Sequence, residues 1–176
     1  MTVVLRTLFT LAFCLLFLLN VTAQSKRGPS TPEERATAVK SARLLETDPF
    51  NKDAKKVREW FLRWLIEVPD ISVVMCSDYL SPLYGGKDKN NEVELAMQLT
   101  LSSAAFIIEH SEQANDKVAV NLAGLEGTLK MYESILKSKP KAKIDFLDQL
   151  IVKRDKGELR AYVEDVAPNK CKGGKK

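Results

Sequence analysis

The sequence contains few of the residue types on which most active sites depend. Its 176 residues include one histidine and three cysteines. Because these residues are widely separated along the chain, they do not make the tetrahedral ligand set of a zinc site. Gly85 and Gly86 lack the spacing of a phosphate-binding loop, and no EF-hand loop is present. We therefore expect no metal and no cofactor.

The one histidine, His110, follows a strongly apolar segment. A hydrolytic site would pair it with Ser102 or Ser103, but along one helix these serines lie about 10–12 Å away, beyond hydrogen-bond reach. A histidine at a helix C-terminus also interacts favourably with the helix dipole, which is the simpler interpretation. The carboxylates of Asp145 and Asp148 stand three residues apart, a spacing that is common on surface helices. We expect no catalytic residues and a protein that is not an enzyme.

The positive charge of the chain is small. The formal net charge is +4, which favours solubility and gives weak attraction to anionic surfaces, but does not indicate nucleic-acid binding. Four lysines surround Pro140 in the segment 137–143, and the last residues, 168–176, are also basic. One interpretation is a weak contact with an anionic surface through this turn and tail. The other is a solvated turn whose lysines complement the end of the preceding helix.

The N-terminus has the pattern of a secretory signal peptide. Arg6 precedes an apolar run of 12 residues, Leu8 to Leu19, and Val21 and Ala23 stand at positions −3 and −1 of a peptidase site. A bilayer span needs about 20 apolar residues, so an uncleaved membrane anchor is the less favoured alternative. We predict cleavage after residue 23 and a periplasmic or extracellular location.

Two cysteines, Cys76 and Cys171, remain after removal of the signal peptide. In an oxidising compartment an even pair is a candidate disulfide. This bridge would close a loop of about 95 residues and stabilise the fold by roughly 4–5 kcal/mol on the chain-entropy model. The alternative is that Cys76 is a small buried apolar residue and Cys171 a thiol on the tail.

The segment 92–110 is the most apolar part of the mature chain. Its residues from Leu95 to Ile108 carry no charge. The polar residues Glu94, Gln98 and Ser102 are spaced four apart, so on a helix they form one narrow stripe. A helix that is apolar around most of its circumference is buried, and this one is too short to span a bilayer. We predict that it is the central helix of the domain.

The remaining segments also have helical periodicity, which predicts an all-α, single-domain bundle of about six roughly antiparallel helices. A flexible lead-in, 24–30, precedes this helical domain at 31–167. The first helix begins at Thr31, where Glu34 completes a capping box, and its narrow stripe of small residues predicts a place on the outside of the core. The other predicted helices span 54–68, 71–80, 117–137, 144–153 and 158–166, and Pro168 is expected to end the last.

Gly124 and Gly127 interrupt the helix 117–137, and the spacing places Gly124 poorly for facing a partner helix.

The helix 54–68 carries both tryptophans of the chain. Trp64 belongs to its apolar stripe and Trp60 lies at the edge of that stripe. Packing in the core is the favoured interpretation. As an alternative, the two rings form a platform that lines a ligand site, so Trp60 and Trp64 are the candidate ligand-lining residues.

A short part of the chain resembles a known repeat. Thr128, Tyr132, Ile135 and Pro140 stand at the spacing of the second helix of a tetratricopeptide repeat. The residues expected in the first helix are missing, and no second copy follows at a period of about 34 residues. This resemblance over 128–140 implies a pair of packed helices and not a repeat array.

Two functional hypotheses follow. The first is an exported, non-catalytic helical protein that binds another protein or an envelope component, because a core and a signal peptide are present without a catalytic constellation. The second is a carrier that holds a small apolar ligand between helices. It draws on the aromatic residues Trp60 and Trp64 and on the small residues 102–105, which would leave space in the core.

Overall fold

The structure is a computed structural model that describes residues 27–74, 76–84 and 91–170. These residues form seven α-helices and no strand, which confirms the predicted all-α fold. The helices are α1 (Pro32–Thr47), α2 (Ala54–Glu67), α3 (Ser77–Tyr84), α4 (Glu92–Glu109), α5 (Lys117–Ser138), α6 (Asp145–Asp155) and α7 (Leu159–Lys170), with a 3₁₀ helix, Ser111–Gln113, between α4 and α5. The predicted signal peptide and residues 171–176 of the basic tail lie outside the described residues.

The start of α1 has the predicted capping box. The backbone N–H of Glu34 donates to Thr31 Oγ1 at 3.2 Å, and the N–H of Thr31 donates to Glu34 Oε2 at 3.0 Å. The narrow stripe of small residues predicted for α1 packs against the core, and the opposite face of the helix is exposed. Ala38 and Ala42 are fully buried with Leu45 in one cluster with α4 residues, because such short side chains let the helix axes approach closely.

The described part of the lead-in, 27–30, is held against the domain by polar contacts, although the sequence predicts a flexible segment. Arg27 pairs with Glu34 of α1 and, at 3.2 Å, with Glu67 of α2. The backbone N–H and hydroxyl of Ser30 donate to the carboxylate of Asp70 at 2.8 and 2.7 Å. These contacts join the start of α1 to the end of α2.

The predicted helix 71–80 is wrong in position. Residues 71–74 have no regular secondary structure, and α3 begins at Ser77 and includes Pro82. The carboxylate of Asp70, the residue before the predicted start at 71, accepts hydrogen bonds from Ser30 and Arg35. A proline fits helical φ and removes only one hydrogen bond, which a helix of one to two turns tolerates when tertiary packing supports it. Tyr79 and Leu83 supply that packing because both are buried in the core.

The helices α4 and α5 form the centre of the fold. Two clusters of buried side chains meet at α4: its N-terminal half packs with α3, α5, α6 and α7, and its C-terminal half packs with α1 and α2. The predicted central helix is therefore confirmed. At the start of α5, Asp116 accepts hydrogen bonds from the backbone N–H groups of Val118 and Ala119 at 2.9 and 3.0 Å.

Two glycines of α5 lie where it crosses α4, and the expectation that Gly124 faces a partner helix poorly is wrong. A Cβ atom on Gly124 would lie 2.3 Å from the hydroxyl of Ser103, and one on Gly127 would lie 2.0 Å from the hydroxyl of Ser102. Both distances are far shorter than van der Waals contact. The glycines therefore permit a close approach that any side chain would prevent.

The last helix also extends further than predicted. It follows Gly157, whose φ of +74° suits glycine, and it ends at Lys170, past Pro168. Proline within the last turn removes only one helical hydrogen bond, so the helix continues for two residues. The boundary predicted at 167–168 between domain and tail thus falls inside α7.

Candidate functional site

A buried carboxylate lies between α1, α4 and α5. The side chain of Glu46 is 3% exposed, and its Oε1 accepts hydrogen bonds from Arg43 Nη1 at 2.6 Å and from the hydroxyl of Ser102 at 2.9 Å. The ammonium of Lys130 lies 3.9 Å from the other carboxylate oxygen. A buried charge is costly unless it is paired and hydrogen-bonded, and these three groups meet that requirement.

Two residues of the polar stripe of α4, Gln98 and Ser102, are buried beside this carboxylate. The amide of Gln98 donates to Ser102 Oγ at 2.9 Å and to the backbone carbonyl of Ala42 at 3.2 Å. On the α5 side, the hydroxyl of Ser134 donates to the backbone carbonyl of Glu46 at 3.0 Å. This part of the stripe therefore joins α4 to α1.

Gly127 makes room for the carboxylate. A Cβ atom at this position would lie 2.6 Å from Glu46 Oε1 as well as 2.0 Å from the Ser102 hydroxyl. A side chain at position 127 would therefore displace the carboxylate or separate the helices. The position of the Glu46 carboxylate therefore requires a glycine at position 127.

A cleft opens beside Gly127, and we call it the charged cleft. Its volume is about 400 Å³. Four helices and the 3₁₀ helix contribute to its lining, which consists of Arg43, Phe106, Glu109, His110, Gln113, Ala119, Leu122, Ala123, Glu126, Gly127, Lys130 and Arg160.

Arg43 connects the cleft to the buried carboxylate. Its Nη1 binds Glu46 and its Nη2 donates to Glu109 Oε2 at 2.6 Å. Partial burial by itself lowers the pKa of Arg43, but the carboxylates of Glu46 and Glu109 outweigh it and raise the pKa of this guanidinium. Arg43 is thus a fixed positive charge that two acids from different helices hold in place.

The charged cleft has an apolar wall and a charged rim. The imidazole of His110 lies 4.7 Å from the ring of Phe106, measured between centroids, and Leu122 lies among the lining residues of α5. Lys130 of α5 and Arg160 of α7 add two exposed cations. The cleft is therefore lined mainly by charged and polar groups, with one apolar wall.

The cleft has no hydroxyl or thiol nucleophile in its lining. The serines that the sequence pairs with His110 are buried and engaged elsewhere, Ser102 with Glu46 and Ser103 with the backbone carbonyl of Val120 at 3.3 Å. His110 lies at the C-terminal cap of α4, as predicted. Within the described residues, no three His, Cys, Asp or Glu side chains are grouped to hold a metal ion.

The candidate ligand-lining tryptophans lie away from this cleft. Trp64 is buried in the core cluster of α1, α2 and α4, and Trp60 is 37% exposed, with its ring stacked on that of Trp64 at 5.9 Å. Neither ring is part of the charged cleft. The space that a carrier would need beside Ser102 and Ser103 is filled by the backbone of α5 at its two glycines.

The lysine turn has a structural contact of its own. The ammonium of Lys139 lies 4.5 Å above the ring of Phe50 and donates to Asn91 Oδ1 at 3.2 Å. Lys139 therefore links the connection between α5 and α6 to the loops that precede α2 and α4. The anionic-surface contact predicted for the turn and the tail stays a prediction.

Four residues of this site were not predicted from the sequence: Arg43, Glu46, Lys130 and Arg160. For Glu46 a signal was present: it stands four residues after Ala42, which itself stands four after Ala38, and so continues the buried face of α1. A charge on a buried face indicates a paired acid. The other three residues lie on different helices, and no local pattern brings them together.

The comparisons with known proteins give no relatives for this site. No protein-family model matches the chain, and no curated protein and no solved structure is similar to it. None of the described helices is long and apolar enough to cross a membrane.

Proposed function

We propose that the chain is an exported, non-catalytic protein that binds a segment of another protein in the charged cleft. The observation that carries this proposal is the cleft itself. Its volume of about 400 Å³ falls within the range of about 300–1,000 Å³ that is common for ligand sites. Helices supply nearly all of its lining, so the backbone that forms the cleft is in place before a partner arrives.

The buried network behind the cleft also supports a binding role. A buried ion pair adds little stability compared with apolar packing, so its presence is better explained by a requirement for position. Here the network fixes Arg43 between Glu46 and Glu109 at the edge of the cleft. A guanidinium held in this way presents its remaining donors in one direction.

The alternative function, a carrier of a small apolar ligand, has less support. Its expected site beside Ser102 and Ser103 is occupied by α5, and the ring of Trp64 is enclosed by the core. The apolar wall of the charged cleft is the remaining place for such a ligand. An envelope component in that cleft is a further outcome that the experiment below distinguishes.

Export belongs to the same proposal. It rests on the signal-peptide pattern of residues 1–23, and the proposed disulfide between Cys76 and Cys171 would fit an oxidising compartment. Cys76 is buried in one cluster with Val166 and Ala167 of α7, and α7 ends one residue before Cys171. The packing of α3 with α7 therefore supports this pairing.

Site-specific photo-cross-linking in the source cells tests the binding site. A benzophenone amino acid replaces Ala123 in the charged cleft or, as a control, Ile66 of α2, which is 84% exposed. We expect one discrete protein adduct from position 123 and none of the same mass from position 66. A lipid or glycan adduct at position 123 would identify an envelope component instead, and equal adducts at both positions would contradict the proposed site.

A further inference from the structure

The cations of the charged cleft are incompletely paired. Lys130 and Arg160 are 57% and 60% exposed, and their nearest carboxylate oxygens, on Glu46 and Glu164, lie 3.9 and 3.7 Å away. Both distances exceed the 3.2 Å limit of a normal N–H···O hydrogen bond, so both cations keep donors for a ligand. Arg43, by contrast, is already held by two carboxylates.

The acids of the cleft compensate this charge only in part. Glu46 is buried behind the lining, and Glu109 binds Arg43. Glu126 is the one lining carboxylate without an ion pair to a described residue, and it stands four residues before Lys130 on α5. The imidazole of His110 lies against Phe106. A ligand that enters the cleft therefore meets two cations whose ion pairs are long, and one carboxylate without an ion pair to a described residue.

The cleft is long in one direction. Its α5 lining runs from Ala119 to Lys130, which at 1.5 Å per residue is about 16 Å. An extended segment of about five residues covers this length at 3.3 Å per residue. Lys130 stands at one end, and Leu122 lies about 12 Å along the helix toward the other end. The ammonium-bearing residue Lys130 and the apolar residue Leu122 therefore lie apart along α5.

We infer that the charged cleft binds an extended acidic segment of the partner protein, with a carboxylate side chain at Lys130 and an apolar side chain on the wall formed by Phe106 and Leu122. This inference rests on the proposed function and names the chemistry of its ligand. The separation of about 12 Å corresponds to a step of about four residues in an extended chain, from one side chain to the other. Residues four apart point to the same face of an extended chain, so both side chains can face the cleft. Arg160 supplies the second cation of the site.

A titration of the mature protein with matched peptides, followed by ¹⁵N–¹H NMR, tests the inference. The first probe is acetyl-Phe-Ala-Ala-Ala-Glu-Ala-amide, and its control carries Gln in place of Glu. We expect shifts of the amide signals of Ala123 and Gly127 with the acidic peptide and at least about tenfold weaker binding of the control, because one charge-assisted hydrogen bond is lost. Equal affinity of the two peptides would overturn the inference.

Substitutions in the cleft are expected to change the affinity for the acidic peptide in opposite directions. Lys130→Ala and Arg160→Ala are expected to weaken binding of the acidic peptide by about fivefold or more, whereas Glu126→Gln is expected to tighten it by about two- to fivefold, because a like charge is removed. Lys137→Ala, on α5 but outside the cleft, is the matched control and should bind as the wild type does. Wild-type affinity of both Lys130→Ala and Arg160→Ala would contradict the assigned contacts.

Two further probes identify the source of the carboxylate. Acetyl-Phe-Ala-Ala-Ala-Gln-Ala with a free C-terminus presents a chain end, and decanoate presents a fatty acid. We expect both to bind more weakly than the acidic peptide, and tighter binding of either would overturn the assignment to an acidic side chain. A protein adduct at position 123 combined with equal affinity of the Glu and Gln peptides would refute this inference and leave the proposed function standing.

Discussion

At the scale of single residues, the most consequential side chain is Glu46. It is 3% exposed and accepts hydrogen bonds from Arg43 and Ser102. Replacement with alanine leaves the hydroxyl of Ser102 without this acceptor and removes the charge that holds Arg43. We expect Glu46→Ala to lower the free energy of unfolding by about 2–4 kcal/mol, measured by urea denaturation. The control is Glu109→Ala, which removes the more exposed partner of Arg43 and should lower the free energy of unfolding by about 1 kcal/mol or less. An equal loss of stability in the two variants would contradict the importance of burial.

Gly127 gives a second test at this scale. A Cβ atom there would lie 2.0 Å from the Ser102 hydroxyl and 2.5 Å from its Cβ atom. We expect Gly127→Ala to lower the free energy of unfolding by about 2–3 kcal/mol, because α5 must move away from α4. Gly28→Ala is the control, since no heavy atom lies within 4 Å of the added Cβ. An unchanged stability of Gly127→Ala would show that the helix crossing is wider than described.

At the scale of secondary-structure elements, the lead-in, α1 and α2 are joined by one carboxylate. Partial burial raises the pKa of Asp70, but hydrogen bonds from Ser30 and Arg35 outweigh that effect and lower the pKa to about 2 from 3.8. Because the folded-state pKa is depressed, the contribution to stability is complete above the unfolded value and is lost as the pH falls toward 2.

Asp70→Asn tests this junction. We expect the variant to be less stable than the wild type by about 1 kcal/mol at pH 7, a value that allows for solvent screening of a partly exposed group. Urea denaturation between pH 7 and pH 2 should show that the difference between the two proteins is constant above pH 5 and disappears near pH 2. A difference that grows on acidification would contradict the direction of the pKa shift.

Element boundaries followed from the sequence where a local signal determines them. The capping box of Thr31 and Glu34 and the cap at Asp116 both involve residues within a few positions of each other. The position of α3 was mispredicted because Asp70 is engaged by Ser30 and Arg35, which lie 40 and 35 residues away. The charged cleft was missed for the same reason, since its cations come from three helices.

At the scale of the whole molecule, the predicted disulfide would tie α7 to the start of α3. Cys171→Ser is expected to lower the free energy of unfolding by roughly 4 kcal/mol, as expected for a closed loop of about 95 residues. The intact mass of the exported wild-type protein should correspond to a chain that begins at Gln24 and is two hydrogens lighter than the reduced form. Alkylation of both cysteines in denaturant without reductant would refute the bridge.

The position of α4 in both apolar clusters has a consequence for the cooperativity of unfolding. Leu95 and Leu99 belong to one cluster, and Leu101, Ala104 and Ala105 belong to the other. Neither half of the domain can open without exposing one side of this helix to water. The backbone amides in the middle of α4 should therefore exchange their hydrogens only when the whole domain unfolds, so that the two clusters behave as a single thermodynamic unit.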